Sequence, residues 1–87
     1  MEVKEILLQK EINEDLGSRN KIEDLFNALE KGNAEKVVMN FEDIKFMSRT
    51  AAQEYLNQRN KVGFDVEERN VPEDIKTLMD FIIESSY

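Results

Sequence analysis

The chain has 87 residues, which is enough for one domain and too few for two. It carries 12 Lys and Arg against 19 Asp and Glu, and the resulting charge of −7 argues against binding to nucleic acid or to an anionic membrane surface. Cys and His are both absent, which excludes disulfides, thiolate catalysis and the commonest metal ligand and general base. We therefore expect one domain over residues 1–87, with no cofactor and no metal site.

Hydrophobic residues make up 40% of the chain, which is enough for a folded core although 36% of the residues are charged. No apolar run approaches the roughly 20 residues of a membrane-spanning helix. The first residues, Met1 to Glu5, lack the basic start and apolar middle of a signal peptide. We expect a cytoplasmic protein that does not enter a membrane.

The first predicted element covers residues about 4–12, and its pattern is ambiguous. Ile6, Leu8 and Ile12 fit one face of a strand. The local residue types, rich in Glu, Lys, Leu and Gln, favour a helix instead. We favour the strand, because it completes a βαβαβα order of alternating strands and helices.

A helix is predicted over residues about 18–31. Ser18 is a good N-cap residue, and Lys31 and Gly32 form a stop signal. Between them, apolar residues recur at i, i+3, i+4 and i+7, which places them on one face. These residues are Ile22, Leu25, Phe26 and Leu29.

The next strand is predicted over residues about 36–41. Its almost continuous apolar run is typical of a central strand that is covered on both faces. A second helix over about 49–61 follows, with either Ser48 or Thr50 as its cap. The inner face of this helix contains Ala51, Ala52, Tyr55 and Leu56.

A third strand at about 63–68 and a third helix at about 72–84 complete the predicted elements. The strand alternates apolar and acidic residues, and Pro72 is suited to the first turn of the helix. Phe81 lies off the apolar stripe of this helix, so it either covers a sheet edge or contacts a partner. Right-handed crossovers then predict a small, mostly parallel α/β sheet. The stripe contains Ile75, Leu78, Met79 and Ile82.

The sequence offers no catalytic constellation. Its hydroxyl residues have no His to activate them, and its glycines do not form a phosphate-binding loop. Adjacent acids occur at 42–43, 67–68 and 73–74, without the spacing of a calcium loop. We expect these acidic pairs to be structural and the protein not to be an enzyme.

Residues 37–51 resemble the signature of STAS domains, the anti-sigma-factor antagonist fold. That signature is an apolar strand ending in Asp or Asn, a short acidic link, a second apolar pair and Asp-Ser-Ser-Gly opening a helix. Asn40, Ile44, Phe46 and Met47 match it, whereas the tetrapeptide here is Ser-Arg-Thr-Ala at 48–51. Residues 16–19 and 52–54 look like a related STAS-like domain of unknown function. The resemblance covers residues 16–82.

The resemblance implies a non-catalytic regulatory module that binds a protein partner, either kinase-like or sigma-regulatory. In anti-sigma-factor antagonists, a serine at the start of the second helix is phosphorylated, but that position is Arg49 here. We interpret Ser48 as an N-cap and Arg49 as a contact residue able to pair with a carboxylate. The predicted interaction surface contains Ser18, Arg19, Ser48, Arg49 and Thr50.

A small-molecule sensor is the alternative function. Helix N-termini at Ser18 and Ser48 are favourable places for a nucleotide or an organic phosphate. Arg19 and Arg49 lie close enough in sequence to those N-termini to reach the same ligand. Both functions therefore predict the same residues.

Overall fold

Five strands and four helices make up the computed structural model, which describes residues 2–85. In chain order they are β1 (Val3–Leu7), α1 (Leu8–Glu11), β2 (Asp15–Leu16), α2 (Arg19–Glu30), β3 (Lys36–Asn40), β4 (Phe46–Met47), α3 (Arg49–Lys61), β5 (Asp65–Arg69) and α4 (Glu73–Ser85). The main sheet has the order β1-β3-β5, and β2 pairs with β4 in a second sheet. All pairings are parallel, so the predicted α/β class is confirmed.

The predicted βαβαβα order is not confirmed as written, because α1, β2 and β4 are additional elements. The three longer helices lie where the apolar periodicity placed them, with ends that differ from the predicted ones by one residue at most. The predicted strands at 36–41 and 63–68 correspond to β3 and β5. The apolar periodicity and the cap residues therefore predicted the three longer helices, and the apolar runs predicted β3 and β5. Neither pattern predicted the short elements α1, β2 and β4.

The predicted strand over residues 4–12 is wrong in its second half. The strand ends at Leu7, and the amide of Ile12 donates to the carbonyl of Leu8 at 2.9 Å, which closes a helical turn. Leu7 and Leu8 are adjacent apolar residues, and Leu8 is fully buried in the core. The residues that follow Leu7 are good helix formers, so the chain leaves the sheet at this point and forms α1.

All the longer helices cover one face of the main sheet. From β3, Val37 and Met39 join the core together with apolar residues of α2, α3 and α4. Val38, which points to the opposite face, is also buried but is not part of that core. β3 is therefore covered on both faces, but the helices cover only the side of Val37 and Met39.

Polar side chains cover the second face of the sheet. The Lys36 ammonium lies 2.7 Å from one Glu67 oxygen, and the Arg69 Nε lies 2.7 Å from the other. Asn40 donates to Glu5 at 2.9 Å. These side chains come from all three strands and surround Val38, so we call this surface the polar face.

Tyr55 connects the helices to the sheet at the centre of the core. Its ring packs edge-on against Phe26 and Phe41, with centroid distances of 5.6 and 5.7 Å. Its hydroxyl donates to Glu68 at 2.7 Å, and Arg59 pairs with the same carboxylate at 3.2 Å. Burial, reinforced by the negative charge of Glu68, raises the pKa of Tyr55 far above its ordinary value, so the phenol stays protonated and donates.

We expect Tyr55→Phe to lower the free energy of unfolding by about 1.5 kcal/mol. This is the lower end for a hydrogen bond to a charged group, because Glu68 keeps its contact with Arg59. Tyr55→Ala removes the aromatic contacts as well and should cost about 3–5 kcal/mol. Urea titration followed by circular dichroism measures both values, and equal losses for the two variants would contradict this account.

The polar face makes stability depend on pH. Hydrogen bonds from Lys36 and Arg69, together with their charges, lower the pKa of Glu67. Its stabilising contribution is therefore fully present above the ordinary Glu pKa of about 4.3 and is lost as the pH falls through the lower value of the folded state. We expect Glu67→Gln to be less stable than wild type at neutral pH, and the difference to shrink on acidification.

Urea midpoints at about pH 7 and about pH 3 measure this difference. Glu84→Gln is the matched control, because Glu84 is exposed and makes no ion pair within residues 2–85. A Glu67→Gln effect that is the same at both pH values would show that ionisation of Glu67 does not contribute.

Candidate functional site

The short strands β2 and β4 bring the starts of two helices together. Their register aligns Leu16 with Met47. The Ser48 amide donates to the carbonyl of Leu16 at 3.1 Å, and the Ser48 hydroxyl donates to the carbonyl of Gly17 at 3.3 Å. Because α2 and α3 begin immediately after these strands, their first turns lie side by side, and the helices pack along their lengths.

Both helices begin with the same dipeptide, Ser-Arg. The Ser18 hydroxyl accepts from the amide of Lys21 at 3.4 Å, and the Ser48 hydroxyl accepts from the amide of Ala51 at 3.0 Å. Each serine is therefore the N-cap of its helix, which confirms Ser18 and selects Ser48 over Thr50. The arginine after each cap occupies the first helical position and is exposed.

A groove of about 370 Å³ runs between these two helices, and we call it the α2–α3 groove. Of the five residues predicted for the interaction surface, Arg19, Arg49 and Thr50 line it directly. The other two, Ser18 and Ser48, cap the helices that form its walls. The structure thus brings all five residues to one end of the α2–α3 pair. The complete lining is Arg19, Arg49, Thr50, Gln53, Glu54 and Asn57.

The floor of the groove contains a buried carboxylate that the sequence reasoning did not assign to the site. Glu54 is only 8% exposed, and one of its oxygens lies 3.3 Å from Nε of Arg19. Its other oxygen accepts from Gln58 at 2.7 Å. Glu54 and Gln58 lie three and seven residues after the buried Ala51. This spacing places both polar residues on the buried face of α3. That spacing is the signal that could have identified Glu54.

Arg49 lies against an exposed aromatic ring at the edge of the groove. Its guanidinium carbon is 5.5 Å from the ring centroid of Phe81, a distance typical of a cation–π contact. Phe81 is 54% exposed, so it does not bury itself against a sheet edge. Of the two roles that the sequence left open, packing over a sheet edge is therefore wrong, and α4 contributes Phe81 to the predicted surface.

The acidic pair at 67–68 has structural partners. Glu67 belongs to the polar face, whereas Glu68 points to the helix side and binds Tyr55 and Arg59. Within residues 2–85, no three acidic side chains form a group that could hold a metal ion. Over the same range, no helix combines the length and apolar character that crossing a membrane requires.

Comparison of this chain with known proteins found no matching family model, no matching curated protein and no matching solved structure. The similarity to STAS-like domains therefore depends on the matched residues of the sequence alone. It remains a prediction about the family.

We expect Ser48→Ala to destabilise the fold more than Ser18→Ala, within the range of about 0.5–2 kcal/mol for a lost N-cap. Ser48 makes the shorter cap bond, and its hydroxyl also holds Gly17 of the neighbouring helix start. Chemical denaturation of both variants measures the difference. A larger loss for Ser18→Ala would mean that the link from Ser48 to Gly17 does not stabilise the groove.

Proposed function

We propose that this chain is a non-catalytic regulatory module that binds a protein partner through the α2–α3 groove and Phe81. The observation that carries the proposal is the stacking of exposed Arg49 on exposed Phe81 beside the groove. Arg and aromatic residues are the types most enriched in the energetically important centres of protein interfaces. A STAS-like domain in the cytoplasm, with a kinase-like or sigma-regulatory partner, is the setting that the sequence resemblance implies.

The chemistry of the groove favours an acidic group on the partner. Arg49 makes no ion pair within the described part of the chain, and stacking on a ring leaves the N–H groups at the guanidinium edge free to donate. A carboxylate can accept two of these N–H groups at once. Although the chain has a net charge of −7, the unpaired guanidinium of Arg49 is therefore suited to bind an acidic side chain.

Hydrogen bonding at the caps argues against a phosphorylation switch at this surface. The resembled family phosphorylates a serine at the position that Arg49 occupies here, and a guanidinium cannot accept a phosphate. The adjacent Ser48 hydroxyl both accepts from Ala51 and donates to Gly17. Phosphorylation of Ser48 would break the second of these bonds. We propose that binding depends on Arg49 itself rather than on a phosphate.

The small-molecule alternative has one observation in its favour, which is that Arg19 and Arg49 line the same groove. Glu54 counts against it, because its carboxylate occupies the Arg19 side of the groove and would repel a phosphate. A protein surface with both acidic and basic groups matches this arrangement better than a nucleotide does.

We expect Arg49→Glu to reduce recovery of the partner about tenfold or more, as removal of an interface hot spot does. The measurement is quantitative mass spectrometry of proteins retained from native cytoplasm by wild-type and variant chains. Phe81→Ala should reduce recovery of the same protein. The matched control is Lys61→Glu, an equal charge reversal at the far end of α3, which should retain the partner.

Two results would contradict this proposal. In the first, every protein retained by wild type would be retained equally by Arg49→Glu. In the second, a nucleotide or organic phosphate would raise the melting temperature of wild type but not of Arg49→Glu, which would replace the protein partner with a small ligand.

A further inference from the structure

A second groove, of about 380 Å³, lies at the carboxyl end of β5, and we call it the β5–α4 groove. One wall is α4, while Glu68, Asn70 and Val71 contribute the end of β5 and the link that leads into α4. Ligands of open α/β sheets bind outside the carboxyl ends of the parallel strands. The volume of the groove is within the range of small-molecule sites, so a small ligand fits it.

Two cations that line this groove carry unpaired hydrogen-bond donors. Lys76 on α4 makes no ion pair within residues 2–85. Arg59 bonds to Glu68 through Nη1, at 3.2 Å to each carboxylate oxygen, and its Nε and Nη2 groups make no hydrogen bond in the described part of the chain. A carboxylate can accept from an ammonium and a guanidinium at the same time. Lys76 and Arg59 therefore suit the carboxylate of a ligand.

Two side chains that line the same groove carry unpaired acceptors. Asp80 lies four residues after Lys76 on α4, yet among the described residues the two side chains form no ion pair. The amide nitrogen of Asn70 donates to Asn40 at 3.0 Å, whereas its side-chain oxygen accepts no hydrogen bond from residues 2–85. An ammonium group has three N–H donors and no acceptor. Asp80 and Asn70 therefore suit the ammonium group of a ligand.

The charges of the lining cancel, because Arg59 and Lys76 balance Glu68 and Asp80. A ligand with a single charge of either sign therefore meets a like charge as well as an opposite one. A ligand that carries both charges meets an unpaired group of the opposite sign with each of them. Apolar side chains complete the lining, and they are Val71, Met79 and Ile83.

We propose that the β5–α4 groove binds a free α-amino acid with an apolar side chain. The carboxylate of the amino acid accepts from Lys76 and Arg59, and its ammonium group donates to Asp80 and Asn70. Its side chain lies against the apolar lining, where removal of apolar surface from water adds to the affinity. The zwitterion has no net charge, so the net charge of −7 on the protein does not repel it.

The probe is L-leucine, and isothermal titration calorimetry of the whole chain measures its affinity. Isocaproate lacks the amino group of leucine, and isoamylamine lacks its carboxylate. We expect each of them to bind at least about tenfold more weakly than leucine, because each leaves one set of charged groups in the groove unpaired. Glycine should also bind more weakly, since it has no side chain to cover the apolar lining. Equal affinity for leucine and any of these three compounds would overturn the proposal, as would no binding of leucine.

Two substitutions at exposed positions test which group of the ligand each side chain binds. Lys76→Gln should weaken the binding of leucine about tenfold and should not weaken that of isoamylamine, which has no carboxylate to lose a partner. Asp80→Asn should weaken the binding of leucine by a similar factor and should not weaken that of isocaproate, which has no ammonium group. A general loss of folding cannot produce this crossed pattern, because it would weaken all the ligands together.

Lys45→Gln is the matched control, because Lys45 is an exposed lysine that does not line the groove. It makes the same change in net charge as Lys76→Gln and should leave the affinity for leucine unchanged. Equal losses in the two variants would overturn the proposal, since the effect would then come from net charge alone. This groove shares no lining residue with the α2–α3 groove, so the two proposals stand or fall separately.

Discussion

The contacts of Tyr55 hold the structure together. This one side chain touches Phe26 of α2, Phe41 at the end of β3 and Glu68 of β5, so it joins two helices to two strands. The edge-on ring contacts and the hydroxyl bond fix both the position and the rotation of α3. The proposed α2–α3 groove depends on that placement, because α3 carries Arg49, Thr50 and Glu54.

Parallel sheets normally have helices on both faces. In this chain the helices cover one face, and side chains that neutralise one another cover the other. Glu67 lies between Lys36 and Arg69, and these long side chains shield Val38 from water. A chain of this length has too few residues for a second helix layer, and the polar face gives the sheet a solvated surface instead.

The candidate site arises from a structural repetition. A strand, a link, a two-residue strand and a Ser-Arg helix start occur first as β1, β2 and α2 and then as β3, β4 and α3. Parallel pairing of the two units places their helix starts together, which sets Arg19 and Arg49 on one groove. The groove is therefore a consequence of the register of the strands. Its buried Glu54 neutralises Arg19, which leaves Arg49 as the cation available to a partner.

The sequence by itself determined the three longer helices, the cap at Ser18 and the central strand, and it narrowed the cap of α3 to Ser48 or Thr50. These features follow from the apolar period and from hydrogen bonds between residues three apart, and both are local properties of the chain. It also indicated the arginines of the surface, which follow the caps directly. Only the tertiary structure decided where β1 ends and α1 begins, since the apolar spacing of residues 4–12 fits a strand and their residue types favour a helix.

The contacts of Arg19 with Glu54 and of Arg49 with Phe81 were likewise decided by the tertiary structure alone. Each joins residues more than 30 positions apart. Such pairs depend on which faces of two helices meet, and the period of one helix carries no information about the face of another. The same reason explains why the helices cover a single face of the sheet although β3 is apolar on both.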